Sequence, residues 1–156
     1  SCLTINKHWG YNPDDNEHKS TSNLIRFLVE CIGRDSNLLL NVGPTPMGTI
    51  QPEHAARLRG IGDWLRIHGE AVYGTRPGPL PKQEWGYTVH NPATGRVYLH
   101  VTNWPGQELA VEIPDVQSAQ LLKTGKAVQA QRDGDRLVLS LPDKTPDIVD
   151  TVIALG

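Results

Sequence analysis

The run Ser36-Asn-Leu-Leu-Leu-Asn-Val-Gly-Pro-Thr-Pro-Met-Gly-Thr-Ile50 constrains this chain more than any other stretch. Leu38 to Leu40 form a short apolar run, closed by Asn41 and Val42 and broken by Gly43-Pro44. A run this short, without alternation and bounded by breakers, predicts a strand buried on both faces. The turn-rich Thr45–Gly48 follows, and Pro52 then signals a first helical turn, where its missing N–H costs nothing. Strand, loop and helix, with a polar residue at the strand's carboxyl end, is how α/β barrels and open α/β sheets present a site.

Such a strand needs neighbours, and the chain before Gly74 offers few. Leu3-Thr4-Ile5-Asn6 predicts one short strand, and Lys7 to Ser20 a long polar and aromatic loop. A first helix begins near Thr21 or Ser22, either able to cap it, and Gly33 stops it. Its apolar stripe is Leu24, Ile25, Leu28, Val29 and Ile32. The second helix carries Leu58, Ile61, Gly62 and Leu65 as its buried stripe and stops at Gly69, with Ala71-Val72-Tyr73 a brief extended segment. Two strand–helix units cannot close a sheet, and a (β/α)8 barrel needs about 200 residues or more. Residues 1–74 are therefore expected to be the carboxyl-terminal portion of a larger α/β barrel, its remainder missing from the chain or supplied by another.

Residues 75–84, with Pro77, Gly78, Pro79 and Pro81, predict a linker. Beyond it the pattern becomes all β. Short runs at Val97–Val101, Leu109–Ile113, Ala119–Lys123, Ala127–Gln131, Arg136–Leu141 and Val149–Leu155 are separated by turn residues, among them the hairpin signal Asp133-Gly134. Residues 85–156 are expected to form an antiparallel β-sandwich.

Composition removes several function classes. The 156 residues carry a formal charge of −2 with both signs interspersed, unlike the clustered basic face of a nucleic-acid or anionic-membrane binder. No apolar run approaches the roughly 20 residues of a membrane span, and no signal-peptide pattern is present. Cys2 and Cys31 are too few for a disulfide framework or a structural zinc site. Cys31, between Val29 and Ile32, reads as a small buried hydrophobe. Gly43 to Gly48 lacks the order of a phosphate-binding loop, and no G-x-S-x-G occurs.

The chemistry concentrates in Lys7-His-Trp-Gly-Tyr-Asn-Pro-Asp-Asp-Asn-Glu-His-Lys-Ser20. Aromatic rings beside carboxylates suit a sugar: the rings stack on its apolar face, and the carboxylates bind hydroxyls or move protons. The same residues also fit a solvated turn before a helix cap, with Trp9 and Tyr11 packed beneath it. His8 and His18 have no third or fourth partner at metal-ligand spacing.

Trp9-Gly-Tyr-Asn12, Lys19-Ser20, Leu24-Ile25, Asn37-Leu-Leu-Leu-Asn-Val-Gly-Pro-Thr45, Gly48-Thr-Ile50, Ile61-Gly-Asp-Trp-Leu65 and Gly69-Glu-Ala-Val-Tyr-Gly-Thr75 together resemble the α-L-fucosidases of glycoside hydrolase family 29. The resemblance runs from about residue 3 to 75; past the seam only the arrangement is similar. It implies a retaining exo-glycosidase that releases terminal α-linked L-fucose by double displacement, with no metal or cofactor. It also implies a secreted, periplasmic or lysosomal setting rather than the cytoplasm.

The partners so implied are a fucosylated glycan and the remainder of the barrel, with neither nucleic acid nor membrane. The family's aspartate nucleophile lies on an earlier strand whose motif does not occur here. By spacing, Asp15 is the first candidate for the acid/base, Asp14 the second and Glu17 the third. Trp9, Tyr11, His8 and Asn41 are the candidate substrate contacts. Trp64 and Trp85 are expected to pack helix against barrel and one unit against the other. A different reading is a non-catalytic carbohydrate-binding module in residues 85–156, with Tyr98 and Trp104 as the platform.

Overall fold

A computed structural model describes all 156 residues. Strand β1 (Cys2–Thr4) lies parallel to β2 (Leu39–Asn41), pairing Cys2 with Leu39, Leu3 with Leu40 and Thr4 with Asn41. Parallel pairing needs a crossover, and helix α1 (Thr21–Gly33) supplies it. Ser20, one residue earlier than expected, caps α1 by accepting the Asn23 N–H at 3.1 Å. Leu24, Ile25, Val29 and Cys31 are its buried face. Gly33 is its last residue, where any Cβ would stand 2.5 Å from the Tyr87 ring.

Helix α2 (Pro52–His68) starts on its proline as expected, and of its expected stripe Ile61 and Leu65 pack against the core that Trp64 joins. His54, Trp64 and His68 are inside, while Leu58 is 40% exposed. Trp64 and His68 are four apart and stack with ring centroids 4.9 Å apart. Gly69–Ala71 form a single 3-10 turn rather than part of an extended segment, and residues 72–74 are a turn. No helix is long and apolar enough to cross a membrane.

The expected strand buried on both faces is corrected here. Leu39 is 61% exposed, because β2 has β1 as its single neighbour. An apolar parallel strand in that condition exposes surface that its relatives in complete sheets bury.

The remaining strands form one eight-stranded antiparallel sheet. They are β3 (Arg76–Pro77), β4 (Gly86–His90), β5 (Val97–Val101), β6 (Glu108–Val111), β7 (Ala119–Leu121), β8 (Ala127–Asp133), β9 (Arg136–Ser140) and β10 (Thr151–Leu155), in spatial order β3-β4-β5-β10-β7-β8-β9-β6. The sheet curls so that its two ends face each other. Trp85, Leu99 and Val101 at one end share a core with Leu109, Val111, Leu137 and Leu139 at the other. The seam is not only a linker, since Arg76 and Pro77 pair with His90 and Val89. The proline there sits on an edge strand, where the ladder tolerates its missing donor.

The helices dock on this sheet through side chains from both. Ile25, Val29 and Trp64 pack with Tyr87 of β4. Arg26 donates from Nε and Nη2 to the carbonyls of Val149 and Ile148, at 3.1 and 2.8 Å. His100 of β5 is fully buried between Asp150 and the turn. Its Nδ1 meets Asp150 Oδ2 at 2.6 Å, and its Nε2 donates to the Ala71 carbonyl at 3.0 Å. Burial disfavours the charged ring, but the Asp150 carboxylate and its hydrogen bond, with the Ala71 carbonyl, outweigh it and raise the pKa. The imidazolium is thus a clasp between sheet and helices.

Candidate functional site

Because β1 and β2 are parallel, the loops that leave them emerge on the same side. The first, residues 7–20, and the second, residues 42–51, touch through backbone. A Cβ on Gly43 would lie 2.9 Å from both Gly10 C and Tyr11 N, so only glycine permits the approach. Asn41, at the end of β2, donates from Nδ2 to the Trp9 carbonyl at 2.8 Å and to Thr4 Oγ1 at 3.2 Å. Its amide donors are occupied in joining the loops.

The first loop is organised by Asp15. The residue is buried at 6% exposure, and its Oδ2 accepts from the backbone N–H groups of Lys7 (2.9 Å) and His8 (3.0 Å) and from His8 Nδ1 (2.7 Å). Oδ1 accepts the Glu17 N–H at 3.2 Å. The His8 ring bond does most to hold this carboxyl below the usual carboxylate range. Desolvation opposes it, and the backbone donors add to the lowering. Asp15 is therefore an ionised, fully engaged acceptor.

The other carboxylates differ. Asp14 is exposed, its N–H donating to Asn12 Oδ1 at 3.0 Å. Glu17 is exposed and pairs with Lys7 Nζ at 2.6 Å, the contact that raises the Lys7 pKa. Trp9 and Tyr11 stand 52% and 38% exposed on the loop's outer surface, so neither packs fully beneath it. The His8 side chain is 55% exposed. His18 turns elsewhere, its ring edge-on to His54 at 5.1 Å, so the two loop histidines do not share a ligand.

Three supports were not singled out from the sequence as parts of the site. Lys19 Nζ donates to the carbonyls of Thr4 and Asn6, both at 2.9 Å, closing the loop onto β1. Arg57 Nε donates to the Lys19 carbonyl at 2.8 Å and ties α2 to the same point. His54 lies beneath, wholly buried with neither ring nitrogen bonded to protein. Burial, then the nearby His18 and Arg57 charges, lowers its pKa. The local signal for Lys19 was slight, a lone lysine before a capping serine.

The sheet lacks the expected aromatic platform. Tyr98 is 3% exposed, and Trp104 is half-buried against the sheet's core. Trp64 does join helix to sheet, whereas Trp85 belongs to the sheet's own core.

The family model for α-L-fucosidase matches residues 1–70. Tissue α-L-fucosidase of Homo sapiens is 32% identical over 98% of this chain and 35% of its own length. Among solved structures, α-L-fucosidase isoenzyme 1 from Paenibacillus thiaminolyticus superposes with a TM-score of 0.90 at 33% identity, over 99% of this chain and 38% of that one. A family 29 α-L-fucosidase from Bacteroides thetaiotaomicron, trapped as a covalent intermediate in complex with 2-fluoro-fucosyl fluoride, gives 0.88 at 31% identity, over 99% and 37%. The chain thus spans about a third of the length of these relatives. Matched in sequence through the paired loops and in fold through the curled sheet, the chain belongs to the α-L-fucosidase family.

Proposed function

We propose that this chain is the carboxyl-terminal working segment of a retaining exo-glycosidase that removes terminal α-linked L-fucose from glycans. The observation that carries the reading is the convergence of both loops on one side of the parallel pair, with Trp9, Tyr11 and three carboxylates on the first. Aromatic faces and carboxylates together are the groups that hold a pyranose and move its protons. The trapped covalent intermediate of the Bacteroides relative supports a double displacement.

In this reading the nucleophile and the remaining barrel strands come from outside residues 1–156, against the exposed Leu39 edge. This chain supplies the loop that carries the acid/base candidates. Asp14 and Glu17 reach solvent, whereas Asp15 is held ionised, opposite to what a resting proton donor needs.

Nuclear magnetic resonance of the released sugar tests the reading. The 156-residue chain alone is expected to leave a chromogenic α-L-fucoside intact. A polypeptide extended to the relatives' length is expected to release α-L-fucose as its first product. First release of the β-anomer, or no fucose from the extended protein, would overturn the proposal.

A further inference from the structure

We infer that Asp15 is a positioning residue and that His8 is the group it presents: a fixed imidazole whose Nε2 hydrogen-bonds a hydroxyl of the bound glycan. The inference rests on the fucosidase reading for its ligand, and on the loop's geometry for everything else.

Asp15 has no capacity left for substrate. Three donors converge on Oδ2 and one on Oδ1, and the side chain is 2% exposed. A sugar hydroxyl cannot reach it without first dismantling the loop. What the carboxylate does is aim its neighbour. A carboxylate only accepts, so the 2.7 Å contact places a proton on His8 Nδ1. In the neutral ring that leaves Nε2 as the acceptor, the relation by which a buried aspartate sets the tautomer of a working histidine.

The backbone on either side of the ring is also fixed. The His8 carbonyl accepts from Thr4 Oγ1 at 3.2 Å, and the Trp9 carbonyl from Asn41 Nδ2 at 2.8 Å. The imidazole is thus held through its ring and its main chain, yet Nε2 bonds to nothing in the protein and the side chain remains 55% exposed. A polar group this firmly oriented, free at one atom and beside exposed Trp9 and Tyr11, is pre-organised for a polar ligand with an apolar face. A monosaccharide unit is such a ligand.

Two measurements test this. In the chain labelled with ¹⁵N-histidine, His8, identified by its loss in His8→Gln, is expected to show the Nδ1–H tautomer at pH 8 and to lose that preference in Asp15→Asn. Equal tautomers in the unsubstituted chain would overturn the inference. In the complete enzyme acting on a fucosylated oligosaccharide, His8→Ala and Asp15→Asn are each expected to raise KM about tenfold with kcat nearly unchanged, the signature of a hydrogen bond made equally in ground and transition states. His8→Gln, whose amide reaches the same place, is expected to recover most of the loss.

An unchanged KM in His8→Ala would overturn the inference. So would a fall in kcat of a hundredfold or more confined to Asp15→Asn, which would make Asp15 the proton carrier itself. If Asp15→Asn fails to fold, His8→Ala alone decides. Absence of any fucose release from the complete enzyme refutes the fucosidase reading, while the tautomer experiment still judges the positioning.

Discussion

His8–Asp15 and His100–Asp150 are the same two side chains joined through the same two atoms, at 2.7 and 2.6 Å, in opposite surroundings. In the loop the carboxylate is buried and the ring stands half in water. Backbone N–H groups satisfy the aspartate, and one ring nitrogen remains free. In the clasp both partners are wholly buried, and the ring uses one nitrogen on Asp150 and the other on Ala71. Spare bonding capacity separates them. A histidine with both nitrogens engaged holds parts together, whereas one with a nitrogen in reserve is equipped to meet a ligand.

The largest effect that sharpens this contrast is on stability. Asp150→Asn leaves a buried ring without its counter-charge and is expected to cost about 3–5 kcal/mol. Urea denaturation of the chain measures it. A loss under about 1 kcal/mol would place the clasp among exposed ion pairs and dissolve the contrast.

Next comes pH, where the two pairs fail at opposite ends. The folded pKa of His100 is raised above the unfolded value of roughly 6.5. Its contribution is complete below that value and is lost as pH rises through the folded pKa. Asp15 is lowered from 3.8, so its contribution holds above that value and is lost as pH falls through the folded pKa. Asp147 is half-buried near the clasp; desolvation opposes its charge, but the Val149 N–H and Lys123 hold it low, so it acts in the same sense as Asp15. His68, lowered chiefly by burial, weakens the fold as pH falls below about 6.5 and so opposes His100 there. The decisive measurement is the difference between the unsubstituted chain and His100→Gln. It should be greatest at pH 6 and shrink towards pH 9. A difference that grows with pH would reverse the assignment.

The smallest global effect is expected for Asp15→Asn. The denaturation midpoint should scarcely move, because the clasp and the sheet's core remain intact. Hydrogen exchange should lose protection at the Lys7, His8 and Glu17 amides that the carboxylate accepts. A large shift in the midpoint would make the loop pair a second clasp.

How much of this was legible depends on how far apart the interacting residues lie. The α1 stripe and the proline start of α2 are local, and they read correctly from spacing alone. Strand β4 is hard to read although Tyr87-Thr88-Val89-His90 alternates, because it is short and follows directly on a proline-rich stretch. The α2 stripe reads correctly at Ile61 and Leu65 but not at Leu58, and it misses His54 and His68, polar by type yet inside. His100 sat in a strand read correctly, but its partner is fifty residues away and meets it only through the placement of β10 beside β5. Asp15 was legible as one of the first loop's carboxylates. Which donors would occupy it was not, since three of the four are main-chain N–H groups whose direction depends on the turn.

The position of β10 has a kinetic consequence. Thr151–Leu155 is synthesised after every other strand, yet it lies between β5 and β7 and pairs with both. Until it emerges, the two halves of the sheet have no ladder connecting them, and Asp150 is not there to neutralise His100. Folding of the sheet must therefore wait for the last strand and close across a long sequence separation, an arrangement of high contact order. On a ribosome, the residues through Ser140 would spend their early life as two separate patches of exposed strand edge, the state in which aggregation competes most strongly with folding.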